Sequence, residues 1–288
     1  MISHHPLKGF LLIASGSLLF ACLDATTKYL TAYYQVPVIA AMRYFVHLVL
    51  MAAILMPKQS NQQLFGSQRK GLVILRALTL VLASLFIGLA LKRMPLAETI
   101  AINFSAPILV VLLAGTLLGE RVGILGWIAV IMGFIGVLLV ARPGGNLDGL
   151  GILFAFMAAT CGAIYQLLSR MLASTEKSIT LLFYSAIVGS IFFGIAFPWF
   201  WENRHPTYLE LSLFVFMGAA GGLGHYFFTM AYRHAPASLL APVTYIQLVW
   251  AGLLGWFLFD NTPHGLSILG MSIVAASGLL IALKSRFG

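Results

Sequence analysis

The chain has 288 residues, of which 60% are hydrophobic and only 9% charged, yet its formal net charge is +9. A soluble domain carries about 25% charged and about 45–50% apolar residues, and a mean hydropathy of +0.97 leaves more apolar surface than a water-facing fold of this size hides. The chain therefore reads as an all-α integral membrane protein, and a large soluble catalytic domain is excluded because the longest polar stretch is only Pro57 to Gly71.

A bilayer core of ~30 Å takes about 20 helical residues. The apolar runs predict ten spans, near 9–30, 37–56, 71–91, 95–118, 123–141, 150–172, 179–200, 210–231, 237–259 and 265–284. Chemical punctuation sits between them: Pro37, Pro57, Pro95, the Arg142-Pro143-Gly144-Gly145 turn, Pro206, Pro236 and Pro263. The first span is long enough to cross, so no cleavable signal is predicted. Cys22 and Cys161 each lie inside an apolar run and imply neither a disulfide framework nor a metal site.

An ionised side chain at mid-bilayer costs about 2.5–3.5 kcal/mol on insertion scales, so each polar residue in a span needs a reason. Span one carries Asp24 and Lys28, four apart on one helix face. Span two carries Arg43 and, nearer mid-membrane, His47, a residue type whose unperturbed ring titrates near neutrality. With Glu98 of span four, Asp24, Lys28 and Arg43 meet either as a carboxylate–guanidinium site for a zwitterion or a proton, or as an ion network fastening spans one, two and four. Lys28 also suits snorkelling, and Glu98 a helix N-terminus. Arg76 of span three reads as a snorkelling cation or an anion contact. His47 serves as a titrating group or a satisfied hydrogen-bond partner. Span four adds Asn103, and Pro107 predicts a bend there by freeing a backbone carbonyl. Tyr165 and Gln166 of span six join Thr244, Tyr245 and Gln247 of span nine at the midplane, as cavity polar groups or as interhelical hydrogen bonds. His225 and Tyr226 follow the Gly218-x-x-x-Gly222 packing stretch of span eight, and line a cavity or pack with it. Trp199, Trp201 and Tyr208 read as an interfacial aromatic belt.

Loop and helix-end charges predict orientation. With the N-terminus in the cytoplasm, the inner set is Lys8, Lys58, Arg69, Lys70, Arg121, Arg170, Lys177, Arg233, Lys284 and Arg286. The outer set is Lys28, Lys92, Arg93, Arg142 and Arg204. Both termini are expected inside, against the vote of Lys92 and Arg93.

The halves resemble each other. Ala90-Leu-Lys-Arg93-Met-Pro95 matches Ala231-Tyr-Arg-His234-Ala-Pro236 at an offset of 141, a register that pairs Asn103 with Thr244, Phe104 with Tyr245, and Leu112-Leu113 with Leu253-Leu254. Lys28 and Arg170 close the first helix of each half. Five spans per half turn the second copy upside down, so residues 1–145 and 146–288 are predicted to form two inverted five-helix repeats with a site near the midplane.

The Asp24-x-x-x-Lys28 pair, Arg43, the Ala97–Pro107 run, the Leu118-Gly119-Glu120-Arg121 helix end and Gly126-Trp127…Gly133…Gly136 leading to Arg142-Pro143-Gly144 resemble the drug/metabolite transporter superfamily, specifically its EamA-like ten-helix family. The second half departs from that pattern, with Phe259-Asp260-Asn261 where another Gly-Glu is expected. The resemblance implies a ten-helix fold whose central cavity is lined mainly by helices 1, 3, 4, 6, 8 and 9, with helices 5 and 10 to the side. Glu120 and Arg121 are expected to serve topology or packing.

The function expected is secondary active transport of a small polar, amino-acid-derived metabolite across a bacterial inner membrane, with export favoured, as of an amino acid, an amine or an opine-type metallophore. Uptake of S-adenosylmethionine, riboflavin or a similar metabolite is the alternative, ahead of a channel or a membrane enzyme. No HExxH, paired-cysteine or Gly-x-Ser-x-Gly pattern points to catalysis, and no Gly-x-x-x-x-Gly-Lys-Ser/Thr loop to ATP. No cofactor, metal or nucleic-acid partner is predicted. The expected partners are the metabolite, the lipid bilayer and protons as coupling ion, for a monomer or a homodimer.

Overall fold

A computed structural model describes residues 6–55, 64–119, 123–141, 147–260 and 265–287. Among these residues every regular element is a helix. In chain order they are α1 Pro6–Leu30, α2 Val36–Leu55, α3 Lys70–Arg93, α4 Leu96–Asn103, α5 Ala106–Leu118, α6 Ile124–Ala141 and α7 Gly149–Leu172. There follow α8 Ser178–Phe200, α9 Tyr208–Ala231, α10 Ala237–Leu240, a 3-10 turn Ala241–Tyr245, α11 Ile246–Phe259 and α12 Gly265–Phe287. Among the described residues seven stretches are long and apolar enough to cross a bilayer: Leu7–Leu30, Val36–Ile54, Lys70–Arg93, Leu96–Ala114, Gly149–Leu172, Ser178–Phe200 and Tyr208–Ala231. Ile124–Leu139, Val243–Phe259 and Ile268–Ser277 are shorter apolar helices. The exterior carries many large apolar side chains, Ile124, Ile195, Phe257 and Leu258 among them, a surface that lipid tolerates and water does not.

Two expected spans are not continuous helices. The one at 95–118 breaks at Phe104-Ser105, and the one at 237–259 passes through the 3-10 turn. The bend expected at Pro107 thus falls just before it, because proline is tolerated in the first turn of a new helix, where its missing N–H is not needed. Pro242 stands equally early in the 3-10 turn. Of the expected helix ends, Glu120, Arg121 and the Arg142–Gly145 turn lie outside the described residues. So do Asn261 and Pro263. Gly119 caps α5 at φ +66°, and Asp260, 141 residues later, caps α11 at φ +52°. Of the expected aromatic belt, Trp199 and Tyr208 are exposed, and Trp201, half-buried, stacks on Phe197 at 5.1 Å.

Short connections make successive long helices antiparallel. The C-terminal ends of α1, α3 and α8 therefore gather at one end of the bundle, hereafter the Lys28 end, where Tyr34 donates to Glu210 at 2.9 Å and Arg93 pairs with Asp148 at 3.3 Å. The opposite, Arg170 end joins Glu176 Oε1 to the backbone N–H groups of Gln68 and Arg69, each at 3.0 Å. A capping box starts α9, with Thr207 N–H on Glu210 Oε2 at 2.7 Å and Glu210 N–H on Thr207 Oγ1 at 3.3 Å. The main packing partners are α1 with α9 and α11, α3 with α7 and α8, α2 with α8 and α9, and α6 with α12.

Candidate functional site

A cavity of about 150 Å³ lies in the middle of the bundle. Its polar wall comes from Asp24 of α1, Arg43 of α2, Ser84 of α3, Asn103 at the end of α4, Tyr165 and Gln166 of α7, His225 of α9, Thr244 of the 3-10 turn and Gln247 of α11. Phe20 and Phe228 supply apolar wall. Among the described residues α6, α8 and α12 contribute nothing to it. Both helix breaks adjoin the cavity, so local backbone irregularity occurs where a polar space, rather than lipid, receives it. Pro107 has no N–H to give the carbonyl four residues back, which is that of Asn103.

Asp24 is 7% exposed and accepts a 2.8 Å hydrogen bond from Gln247 Nε2. Arg43 lays its guanidinium 4.5 Å from the Tyr44 ring centroid, while its Nη2 is buried with no hydrogen-bond partner. Among the described residues Arg93–Asp148 and Arg204–Glu210 form ion pairs and Asp24–Arg43 does not. A buried donor without a partner costs about 1–3 kcal/mol, and more when charged. The wall thus offers a carboxylate and a guanidinium, each with capacity left for a ligand.

Arg76 does not snorkel. It is 0% exposed, and Nε donates to Ser169 Oγ at 2.7 Å. Nη1 donates to Leu181 O and Ser185 Oγ, both at 3.1 Å, and Nη2 to Tyr165 OH at 2.9 Å and Thr229 Oγ1 at 3.1 Å. Five N–H donors meet five neutral acceptors. Ser169 and Ser185 send their own hydrogens to the carbonyls of Tyr165 and Leu181, which frees their lone pairs for the guanidinium. The anion contact expected for Arg76 is absent, because nothing of the fork remains to offer. Tyr165 OH, having accepted from Arg76, also shares a hydrogen bond with His225 Nδ1, 3.2 Å away, so Arg76 is linked to the cavity wall through two successive hydrogen bonds.

The structure brings Asp24, Arg43, Asn103, Tyr165, Gln166, His225, Thr244 and Gln247 together and sets six other expected residues apart, Arg76 in its socket being one. Lys28 does not pair with Asp24; its Nζ donates to the carbonyls of Leu91 at 2.7 Å and Met94 at 2.9 Å, which as helix-terminal acceptors are in need of donors. Glu98 stands in the first turn of α4, within electrostatic reach of Lys28 and away from the cavity. His47 contacts Met51 Sδ at 3.1 Å and seats its ring on Gly222, where a Cβ would come within 2.8 Å of it. Tyr226, one residue on from His225, is turned off the cavity by the helical step. Tyr245 is 0% exposed and wedged against Gly133, where a Cβ would meet its ring at 2.1 Å. Among the described residues no group of three or more His, Cys, Asp or Glu is placed to hold a metal ion.

Sequence reasoning missed Ser84, Ser169, Ser185 and Thr229. A signal existed for three of them: Ser84 lies eight residues beyond Arg76 on α3, and Ser169 and Thr229 each lie one turn beyond an expected residue, Tyr165 and His225. Ser84 Oγ is 2.9 Å from Tyr44 OH, next to Arg43.

The EamA-like transporter family model matches residues 7–142 and again residues 149–283. A riboflavin transporter of Vibrio cholerae is 27% identical over 281 residues, 96% of this chain and 93% of that one. An S-adenosylmethionine uptake transporter of Rickettsia bellii is 26% identical over 263 residues, 91% and 89% of the two chains. An uncharacterized transporter of Helicobacter pylori is 31% identical over 203 residues, 68% and 67%. A solved crystal structure, 19% identical and covering 96% of this chain and 97% of its own, superposes with a TM-score of 0.80 and speaks for the fold.

Proposed function

This chain belongs to the EamA-like transporter family, a multi-pass membrane transporter of a small metabolite, and on that footing we propose that it is a secondary carrier whose central cavity binds a small zwitterion of amino-acid type. The observation that carries the reading is the unpartnered, buried Arg43 Nη2 on the cavity wall. It suits a substrate carboxylate, while Asp24, steadied by Gln247, suits an ammonium or a proton. Ligand pockets for drug-sized molecules run to about 300–1,000 Å³, so a cavity of about 150 Å³ favours an amino-acid-sized ligand in this conformation.

Ten spans in two inverted repeats, with both termini cytoplasmic in a bacterial inner membrane, belong to this reading. The two separate family matches support the repeats, as does the packing. Exchanging the first helix of one half for the first of the other, and so on, turns α1 on α9 into α7 on α3, and leaves α2 on α8 and α6 on α12 unchanged. Coupling to protons through Asp24 fits its place on the wall; Glu98 stands outside it.

Direction is where a second reading enters. The Rickettsia relative is named for uptake, and of a metabolite larger than an amino acid, against the export expected from the resemblance. S-adenosylmethionine carries an amino-acid zwitterion of its own, which the same Arg43–Asp24 wall would engage. Comparing metabolites inside and outside cells that lack, express or overexpress the chain decides among these, with Arg43→Ala as control. Outward enrichment of an amino-acid-like compound supports export, inward enrichment supports uptake, and a redistribution that Arg43→Ala leaves intact overturns the site.

A further inference from the structure

The base in the last turn of the first helix of each half does the same thing. Lys28 of α1 donates to Leu91 O and Met94 O at the end of α3, and Arg170 of α7 donates to Tyr232 O at 2.7 Å at the end of α9. Leu91 and Tyr232 are 141 residues apart, the offset that also relates Asn103 to Thr244. A second link repeats beside the first. Lys92 Nζ donates to Gln35 Oε1 at 2.7 Å, in the turn after α1. Arg233 donates to the backbone carbonyl of Glu176, in the turn after α7, and, at 2.9 Å, to Ser178 Oγ at the start of α8. Lys92 and Arg233, and Gln35 and Glu176, are again 141 apart.

Helix C-terminal carbonyls attract bases wherever one is near, which explains either link alone. It does not explain why both links recur in one register at opposite ends of the bundle. Their position beside the cavity is matched too. Lys28 lies one helical turn beyond Asp24 and Arg170 one turn beyond Gln166, and the third helices they hold, α3 and α9, put Ser84 and His225 on the wall, 141 apart once more.

We infer that the Lys28–Lys92 set and the Arg170–Arg233 set are two latches, one for each end of the cavity, and that the transport cycle opens them in alternation. Both are closed in this structure. Releasing Lys28 from the α3 terminus frees α3 to move off α1 and opens the Lys28 end; releasing Arg170 frees α9 from α7 and opens the other. The inference rests on the carrier reading, but its test reads conformation and needs no substrate.

Ala83, on the cavity wall, is replaced by cysteine in a chain carrying Cys22→Ala and Cys161→Ala. A membrane-impermeant maleimide is then applied to each face in intact cells and in inverted vesicles. Labelling of a Glu202→Cys chain identifies the face on which the Lys28 end lies. Lys28→Met keeps the apolar stem and removes the donor, and should shift the ratio of labelling between the two faces about tenfold toward the Lys28 end, the worth of one charge-assisted hydrogen bond. Arg170→Met should shift it about as far the other way, and Lys28→Arg and Arg170→Lys should restore most of the starting ratio. Unchanged ratios, or both variants shifting in one direction, overturn the latches. Where a methionine variant fails to accumulate, Lys92→Gln and Arg233→Gln carry the same opposed expectation and the same refutation. Opposed shifts in a chain that moves no metabolite would sink the carrier reading alone, and transport without shifts would sink the latches alone.

Discussion

Two guanidinium groups sit deep in the bundle with opposite surroundings. Arg43 keeps a bare nitrogen on the cavity wall, so Arg43→Ala should abolish or reduce uptake or efflux by at least about tenfold while the purified protein melts near the parent temperature. Arg43→Lys, which keeps the charge but loses the planar fork, should fall between them. Arg76 has every donor engaged across α7, α8 and α9. Arg76→Met leaves four hydroxyl acceptors facing apolar surroundings and should cost on the order of 3 kcal/mol or more, read as a lowered melting temperature in detergent before any transport defect is assigned. A variant as stable as the parent would mean that the five-bond socket is not what ties α3 to its neighbours. Which arginine is which was not legible in the sequence, since both are single cations in apolar helices. Only the partners, contributed by residues about 90 to 150 positions away, tell them apart.

At the scale of elements, the two broken helices decide the site. Apolar runs marked both spans, the 141-residue offset marked the Asn103–Thr244 correspondence, and proline marked the first break. None of these showed that Tyr245 turns into the groove at Gly133 while Thr244 faces the cavity. In a lipid-solvated helix the buried and outward faces are both apolar, so the hydrophobic pattern that orients a soluble helix is lost; the same blindness put Tyr226 beside His225. The helix ends are better behaved. Gly119 and Asp260 occupy matching left-handed caps at φ +66° and +52°, a conformation that costs a residue with a Cβ roughly 1–2 kcal/mol. The second half thus keeps the left-handed cap without the glycine that most easily adopts it. Asp260→Gly should raise stability by about 1 kcal/mol, seen as a higher melting temperature, and an unchanged or lower one would mean that the aspartate makes up its own strain. At the α2–α8 crossing, a Cβ on Gly189 would lie 2.2 Å from the Tyr44 ring. Gly189→Ala should push Tyr44 from Ser84 and disturb neighbouring Arg43, lowering transport by more than its effect on stability predicts.

Across the whole molecule the principal helix contacts run between the halves. The main partners of α1, α2, α3 and α6 are α9, α8, α7 and α12, all from the second half. The cavity wall is divided in the same way, with Asp24, Arg43, Ser84 and Asn103 from one half and Tyr165, Gln166, His225, Thr244 and Gln247 from the other. Each half, though matched on its own by the family model, therefore lacks both the packing partners of its helices and half of its site. Helix association in lipid draws on packing and interhelical hydrogen bonds rather than on expulsion of water. A half expressed alone thus has sockets such as that of Arg76 left empty. Residues 1–145 expressed without 146–288 should be degraded or should associate promiscuously, and so should residues 146–288 expressed without 1–145. Co-expressed halves should copurify and recover transport, because the cut removes one peptide bond and none of the contacts between the halves. Either half forming a monodisperse, thermally stable species by itself would show that the repeats are independent folding units, and that the contacts between them are a docking surface rather than the core.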